Sequence, residues 1–416
     1  MPLKIVFFNR SFYPDITATG QLLTELCKGL VKDYGCTVTV VAGMPLVNKN
    51  IYMDDFKRRE FIKREDIEGI EVFRVKNTVF STKSFIGRII NYLTYFFLSL
   101  YASFRLKKPD LIVTLTDPPI ICLLGLWTSL RFGVPFIISV RDIFPEAAKG
   151  LESSQNRIIN FLLDYINRFS LKKAHCVVAL GETMRKRLIE EKGVREDKVS
   201  IISDWADCRN ILPLPKDNAF SSTHNMVDYF VVMYAVNMGA SSGLEFVVES
   251  ANLLKGYRDI LFVFVGEGIT KDKLIKFSIS RKLENIRFFS YQPIEMLSEV
   301  FSSADIFIIP LKKGLAGYSL PSKIYPIMAS GRPYIASVEM ESEITAITRE
   351  FDCGLLARPQ DYKDLTEKIL VFYNNKELAT RMGENARKAA VFFDKSLGVG
   401  KYYESFNKIL DDKKGV

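Results

Sequence analysis

The first half of the chain alternates short apolar runs, rich in β-branched residues, with longer stretches whose apolar positions recur at helical spacing. The runs start with KIVFF at residues 4–8 and finish with KVSIIS at residues 198–203. Continuous apolar runs are typical of buried parallel strands, and amphipathic stretches are typical of the helices that connect them. This half is therefore predicted to form one doubly wound sheet. Further strands are predicted at 37–43, 110–116, 135–142 and 175–181, and helices at about 20–32, 120–132, 156–170 and up to 191.

A change of composition after residue 206 divides the chain. Residues 207–228, DCRNILPLPKDNAFSSTHNMVD, combine prolines, serines and asparagines, which is typical of a linker. The alternation then resumes, so the fold class is α/β with two doubly wound, Rossmann-like domains, 1–206 and 229–395. We expect these domains to face each other across a cleft, with ligands at the carboxyl ends of the strands. The second set of strands is predicted at 229–236, 260–266, 286–290, 305–311, 333–337 and 354–357, with helices at 243–254 and 271–281.

One long apolar segment raises the question of a membrane span. Residues 85–104, FIGRIINYLTYFFLSLYASF, have the length of a spanning helix but contain Arg88, Asn91 and several hydroxyl side chains. We therefore predict a helix that does not span. It either covers a sheet or lies on a bilayer, where basic residues at its ends would contact anionic lipid. These basic residues are Lys83, Arg88, Arg105, Lys107 and Lys108.

Charge and cysteine usage narrow the class of protein. The net charge of +9 permits an anionic partner such as nucleic acid, a phosphorylated substrate or an acidic membrane. The bases are spread along the chain without interleaved aromatic residues, which disfavours nucleic acid. The six cysteines lie far apart without CxxC spacing, and MPLKIVFFNRSF lacks a signal-peptide pattern, so we expect a cytoplasmic-side protein with reduced thiols.

The stretch GLAGYSLPSKIYPIMASGRPYI, residues 314–335, places Lys323 where a helix is predicted to begin, near Pro321 and Ser322. A lysine in a first helical turn is disfavoured by the helix dipole, by roughly a few tenths of a kcal/mol, unless an anion lies beside it. The backbone amides from Ser319 through Leu320 to Ser322, together with Lys323, are therefore candidates to bind a diphosphate. The alternative is a solvent-exposed lysine at a poorly optimised helix start.

Two other loops of the second domain have a similar composition. VNMGASSGLE at 236–245 and VGEGITK at 265–271 each place glycines between a strand and a helix, a weak signal alone but a stronger one together. In the first domain, Gly20 holds the equivalent position in NRSFYPDITATGQLLTEL. The expected nucleotide-sugar contacts from these loops and their neighbours are Gly20, Asn237, Gly239, Gly266, Gly268, Tyr291, Tyr325 and Glu343.

Charged residues follow directly after a predicted first-domain strand in VRDIFPEAAKG, residues 140–150. Charges at this edge of a sheet are commonly site residues, although loop ion pairs also occur there. Asp142 is the leading candidate to orient an acceptor hydroxyl, with Arg141 near the donor and Glu146 as a substitute for Asp142. A loop-shaping salt bridge between Arg141 and Glu146 is the alternative.

Nine segments in a fixed order carry a resemblance to a known family. They are FYPDITATGQLLTEL, PDLIVTLTDPPI, VRDIFPEAAKGL, VSIISDWAD, NMGASSGLE, FVFVGEG, SADIFIIPL, YSLPSKIYPIMASGRP and EFDCGLLARP. Their order resembles the retaining glycosyltransferases of family 4, which have the GT-B fold, and within them the WbuB-like O-antigen and capsule branch. The resemblance covers nearly the whole chain and implies that a C-terminal helix, about 396–416, crosses back onto the first domain.

The same resemblance implies the chemistry. The donor would be a UDP-sugar carrying an N-acetylated sugar, the acceptor a polyprenyl-diphosphate-linked saccharide, and the location the inner face of a bacterial plasma membrane, in peripheral contact with anionic lipid. No cofactor is expected and no metal, because loop amides and cations can stabilise a departing diphosphate. Only two histidines occur and no Asp-x-Asp motif follows a strand, so a His-based triad or metal cluster is not expected.

The chain also departs from the wider family. Two glutamates eight residues apart are replaced by Tyr318 and Pro326, and the arginine and lysine of the first phosphate loop by Ala240 and Ser242. Lys323 is therefore predicted to supply the missing cation. The lost residues leave two alternatives open: a GT-B nucleotide-sugar epimerase, or a non-catalytic nucleotide-sugar-binding partner of another transferase.

Overall fold

The computed structural model describes residues 2–15, 17–45, 60–80, 85–149, 156–235 and 237–414. The chain folds into two compact units. The first comprises Met1–Ser203 together with Ser396–Val416, and the second comprises Asp204–Lys395. Each unit is built on a sheet of its own, as the two series of apolar runs predict.

The first unit contains an eight-stranded sheet. Its strands are β1 (Lys4–Phe8), β2 (Thr37–Ala42), β3 (Ile62–Ile67), β4 (Ile70–Val75), β5 (Leu111–Thr114), β6 (Phe136–Ser139), β7 (Cys176–Ala179) and β8 (Val199–Ile201). They are ordered β3-β4-β2-β1-β5-β6-β7-β8, and all neighbours are parallel except the β3–β4 hairpin. Chain order reverses between β1 and β5, so the switch point of this sheet, where ligands bind in such folds, lies there.

Helices connect these strands. They are α1 (Ala18–Tyr34), α2 (Phe85–Ser103), α3 (Ile121–Phe132), α4 (Glu146–Lys149), α5 (Arg157–Lys173) and α6 (Glu182–Glu190). Local capping sets their ends: Thr17 caps α1, Asn156 caps α5, and α1 stops at Gly35, whose φ of 62° suits glycine. The observed bounds lie within three residues of those predicted, a displacement expected because helix ends fray.

The β3–β4 hairpin was not predicted from the sequence. Strand β3 reads IKREDI, with Ile62 as its single buried residue, so it lacks the apolar run that marks the other strands. Its register places Glu65 near Arg74, whose fully buried guanidinium lies 3.1 Å from the Glu65 carboxylate. The hairpin therefore depends on pairing and a buried ion pair, which local hydrophobicity does not reveal.

The second unit contains a six-stranded parallel sheet. Its strands are β9 (Phe230–Ala235), β10 (Ile260–Val265), β11 (Ile286–Phe289), β12 (Ile306–Pro310), β13 (Tyr334–Ser337) and β14 (Gly354–Ala357). Their order is β11-β10-β9-β12-β13-β14, which puts the switch point between β9 and β12. The helices are α7 (Ala219–Thr223), α8 (Glu245–Leu253), α9 (Lys271–Ser280), α10 (Leu297–Ser302), α11 (Ile324–Ala329), α12 (Glu343–Phe351), α13 (Tyr362–Asn374) and α14 (Lys376–Ala390).

The segment predicted as a linker, 207–228, is folded onto the second unit. It contains α7, which Asn218 begins with a reciprocal capping box. The Leu214 amide donates to Ser302 Oγ at 2.9 Å, and Lys216 forms an ion pair with Asp305. Proline-rich composition therefore does not mark an unstructured connection here.

The last helix, α15 (Lys395–Lys414), belongs with the first unit from Ser396 onward. Val399 packs so closely on Gly29 of α1 that a Cβ there would lie 2.9 Å from a Val399 methyl group. Tyr402 Oη lies 2.6 Å from Ser139 Oγ of β6. The C-terminal helix thus contributes core contacts to a sheet formed by the N-terminal half.

Helix α2 is the segment for which a membrane span was considered. Its Tyr95 is fully buried and donates to the Val41 carbonyl of β2 at 2.8 Å, so one side of the helix covers the sheet. Across the described ranges, no helix combines the length and apolar character needed to cross a bilayer.

Candidate functional site

Three loops of the second unit join at the carboxyl ends of β9, β10 and β12. The Met238 amide donates to the Glu267 carbonyl at 2.8 Å, and the Lys312 amide donates to the Ser241 carbonyl at 2.9 Å. Thr270 Oγ1 adds a 2.7 Å hydrogen bond to the Met238 carbonyl. These bonds fix the loops around the switch point of the sheet.

Gly268 permits this close approach. Its φ is +156°, and a Cβ on it would lie 2.4 Å from the Met238 carbonyl oxygen, so no side chain fits. The Gly266 carbonyl accepts a hydrogen bond from Lys271 Nζ at 3.0 Å. Gly268 therefore shapes the loop, a role that the sequence alone does not distinguish from ligand contact.

Lys323 lies at the centre of these loops. The sequence predicts Lys323 in the first turn of a helix. Helix α11 instead begins at Ile324, so Lys323 is its N-cap residue. The side chain is buried, which rules out the alternative of a solvent-exposed lysine. Nζ lies 2.9 Å from Tyr234 Oη and 4.1 Å from the centroid of the same ring. Burial lowers the pKa of Lys323 from 10.5 to about 7.

Tyr234 connects Lys323 to the loop after β9. Its hydroxyl donates to the Asn237 carbonyl at 2.8 Å and lies 2.9 Å from Ser242 Oγ. Burial raises the pKa of Tyr234, so the phenol stays neutral. In the described part of the chain, no carboxylate forms an ion pair with Lys323. The ammonium group thus has a hydroxyl and an aromatic ring as neighbours but no counter-charge.

The loop before α11 presents fewer amides than predicted. The Ser319 amide already donates to the Leu315 carbonyl at 3.2 Å, and Pro321 has no N–H. Among the described residues, the amides of Leu320 and Ser322 have no intrachain acceptor. These two N–H groups, the Lys323 amide, which likewise has no acceptor among the described residues, and Lys323 Nζ can all donate to an anion.

Other expected contacts take structural roles. Tyr325 is fully buried with its ring 5.1 Å from that of Phe393, so it lies in the core and not at a ligand surface. The Gly239 amide is engaged with the Asn237 carbonyl at 2.9 Å, although the Asn237 side chain is exposed. Tyr291 is partly exposed near Glu267, whereas Glu343 is the first residue of α12.

Two residues that the sequence reasoning missed hold the loops in place. Glu339 accepts the amides of Gly314 at 2.9 Å and Ala316 at 3.3 Å, which fixes the loop after β12. Lys271 forms a 2.7 Å ion pair with Glu267, and this hydrogen bond lowers the pKa of the Glu267 carboxyl. Glu339 lies close after a proline-containing segment and Lys271 close after a glycine-rich one. Charged residues beside such loops could therefore have been predicted to hold them in place.

The first unit has a charged cluster at its own switch point. Arg10 follows β1 and Asp117 follows β5, and the guanidinium lies 3.1 Å from the carboxylate. Ser11 Oγ also lies 3.2 Å from Asp117. Burial alone would lower the pKa of Arg10. The charges of Asp117, Tyr92 and Asp15 outweigh burial and raise this pKa above its usual value. None of these residues was predicted, because Arg10 and Asp117 meet only through the pairing of β1 with β5, which the sequence pattern does not show.

Arg141 and Asp142 reach the same sheet edge from β6. Their backbone amides both donate to Thr116 Oγ1, at 3.1 and 3.2 Å. Burial first, then the Asp117 charge and, to a smaller extent, the Asp142 charge raise the pKa of Tyr92 to about 12. Asp142 therefore shares an electrostatic environment with the cluster around Arg10, as a site residue would.

Glu146 and Gly20 have other partners than predicted. Glu146 lies 2.7 Å from the fully buried Lys192, which also bonds to Asp164 at 2.6 Å. Glu146 is therefore placed to neutralise a buried cation, which argues against its use as a substitute for Asp142. The Gly20 amide donates to Thr17 Oγ1, the cap of α1, and is not available to a phosphate.

Comparison with known proteins identifies the family of this chain. The profile described as "Glycosyl transferase 4-like domain" matches residues 17–205, and that described as "Glycosyl transferases group 1" matches residues 216–389. Together they account for most of the chain. The chain belongs to the GT-B glycosyltransferases. The prediction of a glycosyltransferase is thereby confirmed, whereas the WbuB-like branch remains a prediction.

Curated relatives of this GT-B chain are distant. It is 25% identical to the probable glycosyltransferase WbjE of Pseudomonas aeruginosa over 64% of this chain, and spans just under two thirds of WbjE, 66%. It is 24% identical to the putative colanic acid biosynthesis glycosyl transferase WcaI of Escherichia coli, over 84% of this chain and 86% of WcaI. A third relative, 22% identical over 61% of this chain and 65% of its own, is an N,N'-diacetylbacillosaminyl-diphospho-undecaprenol N-acetylgalactosaminyltransferase of Campylobacter jejuni.

Solved structures share the fold at low identity. Anabaena HepE in complex with UDP and glucose is 15% identical, with a TM-score of 0.72 over 97% of this chain and 99% of HepE. WaaG, a glycosyltransferase involved in lipopolysaccharide biosynthesis, is 13% identical, with a TM-score of 0.71 over 97% and 99%. At such identities these structures establish the architecture and no more.

Proposed function

We propose that this glycosyltransferase moves a sugar from a UDP-sugar, with retention of anomeric configuration, onto a polyprenyl-diphosphate-linked saccharide during surface polysaccharide synthesis. The undecaprenol-linked acceptor in the Campylobacter relative's name, and the colanic acid in that of WcaI, support this acceptor class. The UDP complexes of HepE support the donor class. The WbuB-like resemblance supports an N-acetylated sugar.

The observation that carries the proposal is the buried Lys323 ammonium at a switch point, which no carboxylate of the described residues pairs with. An unpaired cation removed from water is unfavourable, and a diphosphate beside it would reverse that cost. The free amides of Leu320 and Ser322 supply donors to the same anion. Lys323 thus takes the role of the cation missing at Ala240 and Ser242.

The proposed reaction needs no covalent intermediate on the protein. The bond between the anomeric carbon and the diphosphate oxygen breaks, the acceptor oxygen bonds to that carbon, and the acceptor proton passes to the departing diphosphate. Lys323 would stabilise the negative charge that develops on the leaving group. In the first unit, we propose that Asp142 orients the acceptor hydroxyl, with the Arg10 and Asp117 pair beside it.

A nucleotide panel tests the donor site first. UDP and UDP-N-acetylhexosamines should raise the melting temperature of the protein in a concentration-dependent way, whereas GDP-sugars should not. Transfer is then assayed with a synthetic polyprenyl-diphosphate saccharide, with and without a metal chelator. Activity that disappears with the chelator and returns with Mg²⁺ would contradict metal independence.

Two outcomes would replace the proposal. Epimerised donor after incubation with a UDP-sugar alone would indicate the GT-B epimerase. Binding of UDP without transfer or hydrolysis, across the donor panel, would indicate a non-catalytic partner. A lipid-linked acceptor would also bring the protein to the inner face of a plasma membrane. A surface of the protein that binds lipid would then be expected.

A further inference from the structure

Helix α5 turns an apolar stripe to solvent. Five side chains at helical spacing are between 40% and 72% exposed: Ile158, Phe161, Leu162, Tyr165 and Phe169. Residues three and four positions apart share one face of a helix, so the five form a continuous stripe. The buried face of the same helix carries Asn167, Ser170 and Leu171. A surface helix normally turns its apolar stripe to the core, and an exposed one marks an interaction site.

The neighbouring helices extend this apolar surface. Helix α3 packs against both α2 and α5. Its Leu130 is 73% exposed, and the last turns of α2 and the residue after it expose Phe97, Tyr101 and Phe104. The Phe104 ring lies 5.2 Å from the Trp127 ring of α3, which joins α2 to α3. The α5 stripe, Leu130 and these three aromatic residues are called the α5 face below.

Basic residues outnumber acidic ones in the segments that form the α5 face. Residues 85–110, 121–132 and 157–173 contain nine lysines and arginines and two aspartates. One aspartate, Asp164, is already paired with Arg168 at 2.6 Å. Arg131 lies over the Phe104 ring, 5.0 Å from its centroid, with its charge at the edge of the apolar surface. Apolar and aromatic side chains beside an excess of basic residues are the composition of helices that lie in the headgroup region of anionic bilayers.

We infer that the α5 face docks the protein on an anionic lipid bilayer, with α5 as the main inserting helix. The reason for docking, access to a lipid-linked acceptor, rests on the proposed function. The exposed stripe and the excess of basic residues are observed independently of it. A second copy of the chain fits this face poorly, because a two-fold interface would set its excess positive charge against itself. Helix α5 thereby takes the role that the sequence suggested for 85–104 alone.

Vesicle sedimentation with the full chain tests the inference. Vesicles of phosphatidylcholine alone and of phosphatidylcholine mixed with phosphatidylglycerol are used, free of donor and acceptor. The wild-type protein should bind the mixed vesicles, bind phosphatidylcholine weakly, and lose affinity as salt is raised. The triple variant Phe161→Gln, Leu162→Gln, Tyr165→Gln should bind the mixed vesicles at least about tenfold more weakly, because its apolar stripe is lost.

The second unit offers a matched control. Leu253, Ile279 and Val371 are 50%, 69% and 42% exposed, and they lie on separate helices of that unit. The triple variant Leu253→Gln, Ile279→Gln, Val371→Gln removes similar exposed apolar surface and should bind vesicles like the wild type. A shift in melting temperature with UDP, measured on each protein, reports the proposed donor site separately from membrane binding.

Three results would overturn the inference. The first is wild-type protein that does not sediment with mixed vesicles, and the second is equal binding by the α5 variant. The third is an α5 variant that changes from dimer to monomer in light scattering while vesicle binding is unchanged, which would make the face an interface between copies. If UDP did not raise the melting temperature of the wild-type protein, the proposed function would be contradicted. The result with vesicles would still be valid.

Discussion

Lys323 shows how one residue can be predicted in its role but not in its structural setting. The sequence places a lysine near a proline at a predicted helix N-terminus, where the helix dipole favours an anion. The structure instead surrounds Lys323 with the Tyr234 ring and hydroxyl, which come from β9, far away along the chain. Burial by a distant strand follows from sheet order, and no pattern near residue 323 reports it.

Replacing Lys323 by alanine should lower the turnover number by about a hundredfold, the scale of one lost group that stabilises transition-state charge. Lys313, an exposed lysine in the same loop, is the matched control, and Lys313→Ala should keep wild-type turnover. Steady-state kinetics on both variants measures the effect. Wild-type turnover in Lys323→Ala would remove the residue from the mechanism.

Donor affinity should depend on pH through Lys323. Because its pKa is lowered to about 7 in the free protein, the ammonium charge is present below pH 7 and is lost as the pH rises. A diphosphate favours the charged form, so binding above that pH must also take up a proton. Affinity for UDP-N-acetylglucosamine should therefore fall by up to about tenfold per pH unit above 7.

Calorimetric titration between about pH 6 and pH 9 would follow this change, since a UDP-sugar keeps the same diphosphate charge over that range. In Lys323→Met, which cannot titrate, affinity should be weaker and nearly constant. A wild-type affinity that stays flat across the range would show that Lys323 does not contact the diphosphate.

The loops that follow the strands were located correctly from the sequence, but their functions were only partly separable. Glycine in a strand-to-helix loop either lets a ligand approach the backbone or lets two loops approach each other. Gly268 does the second, because its Cβ would overlap the Met238 carbonyl. Gly20 and Gly239 use their amides within the protein, so composition alone overstated the number of ligand contacts.

Gly268→Ala should destabilise the second unit and displace the loop that carries Met238. The strained φ of +156° and the 2.4 Å approach act in the same direction. We expect a loss of about 1–3 kcal/mol in the free energy of unfolding and weaker UDP binding. Gly256→Ala is the control, because a Cβ there meets nothing within 4 Å. Equal melting temperatures for the two variants would contradict the proposed packing role.

For the molecule as a whole, the alternation of apolar runs was sufficient to predict two doubly wound sheets. What it could not show is how elements pair and pack against one another. The β3–β4 hairpin, the folded segment at 207–228 and the exposed stripe of α5 each depend on which elements become neighbours. Periodicity predicts that a helix has an apolar face, whereas only the packed structure shows whether that face is covered.

The return of α15 to the first unit gives the last prediction. Val399 fills the space above Gly29 of α1, and Tyr402 is bonded to Ser139 of β6, so deletion of 396–416 should expose α1 and β6. Hydrogen exchange followed by mass spectrometry should then show faster exchange in α1 and β6, with β9 and β10 of the second unit still protected. A chain ending at residue 414 keeps the helix and should exchange like the full chain. Unchanged protection of β6 after the deletion would mean that α15 adds no stability to the first sheet, despite its buried Val399 and Tyr402.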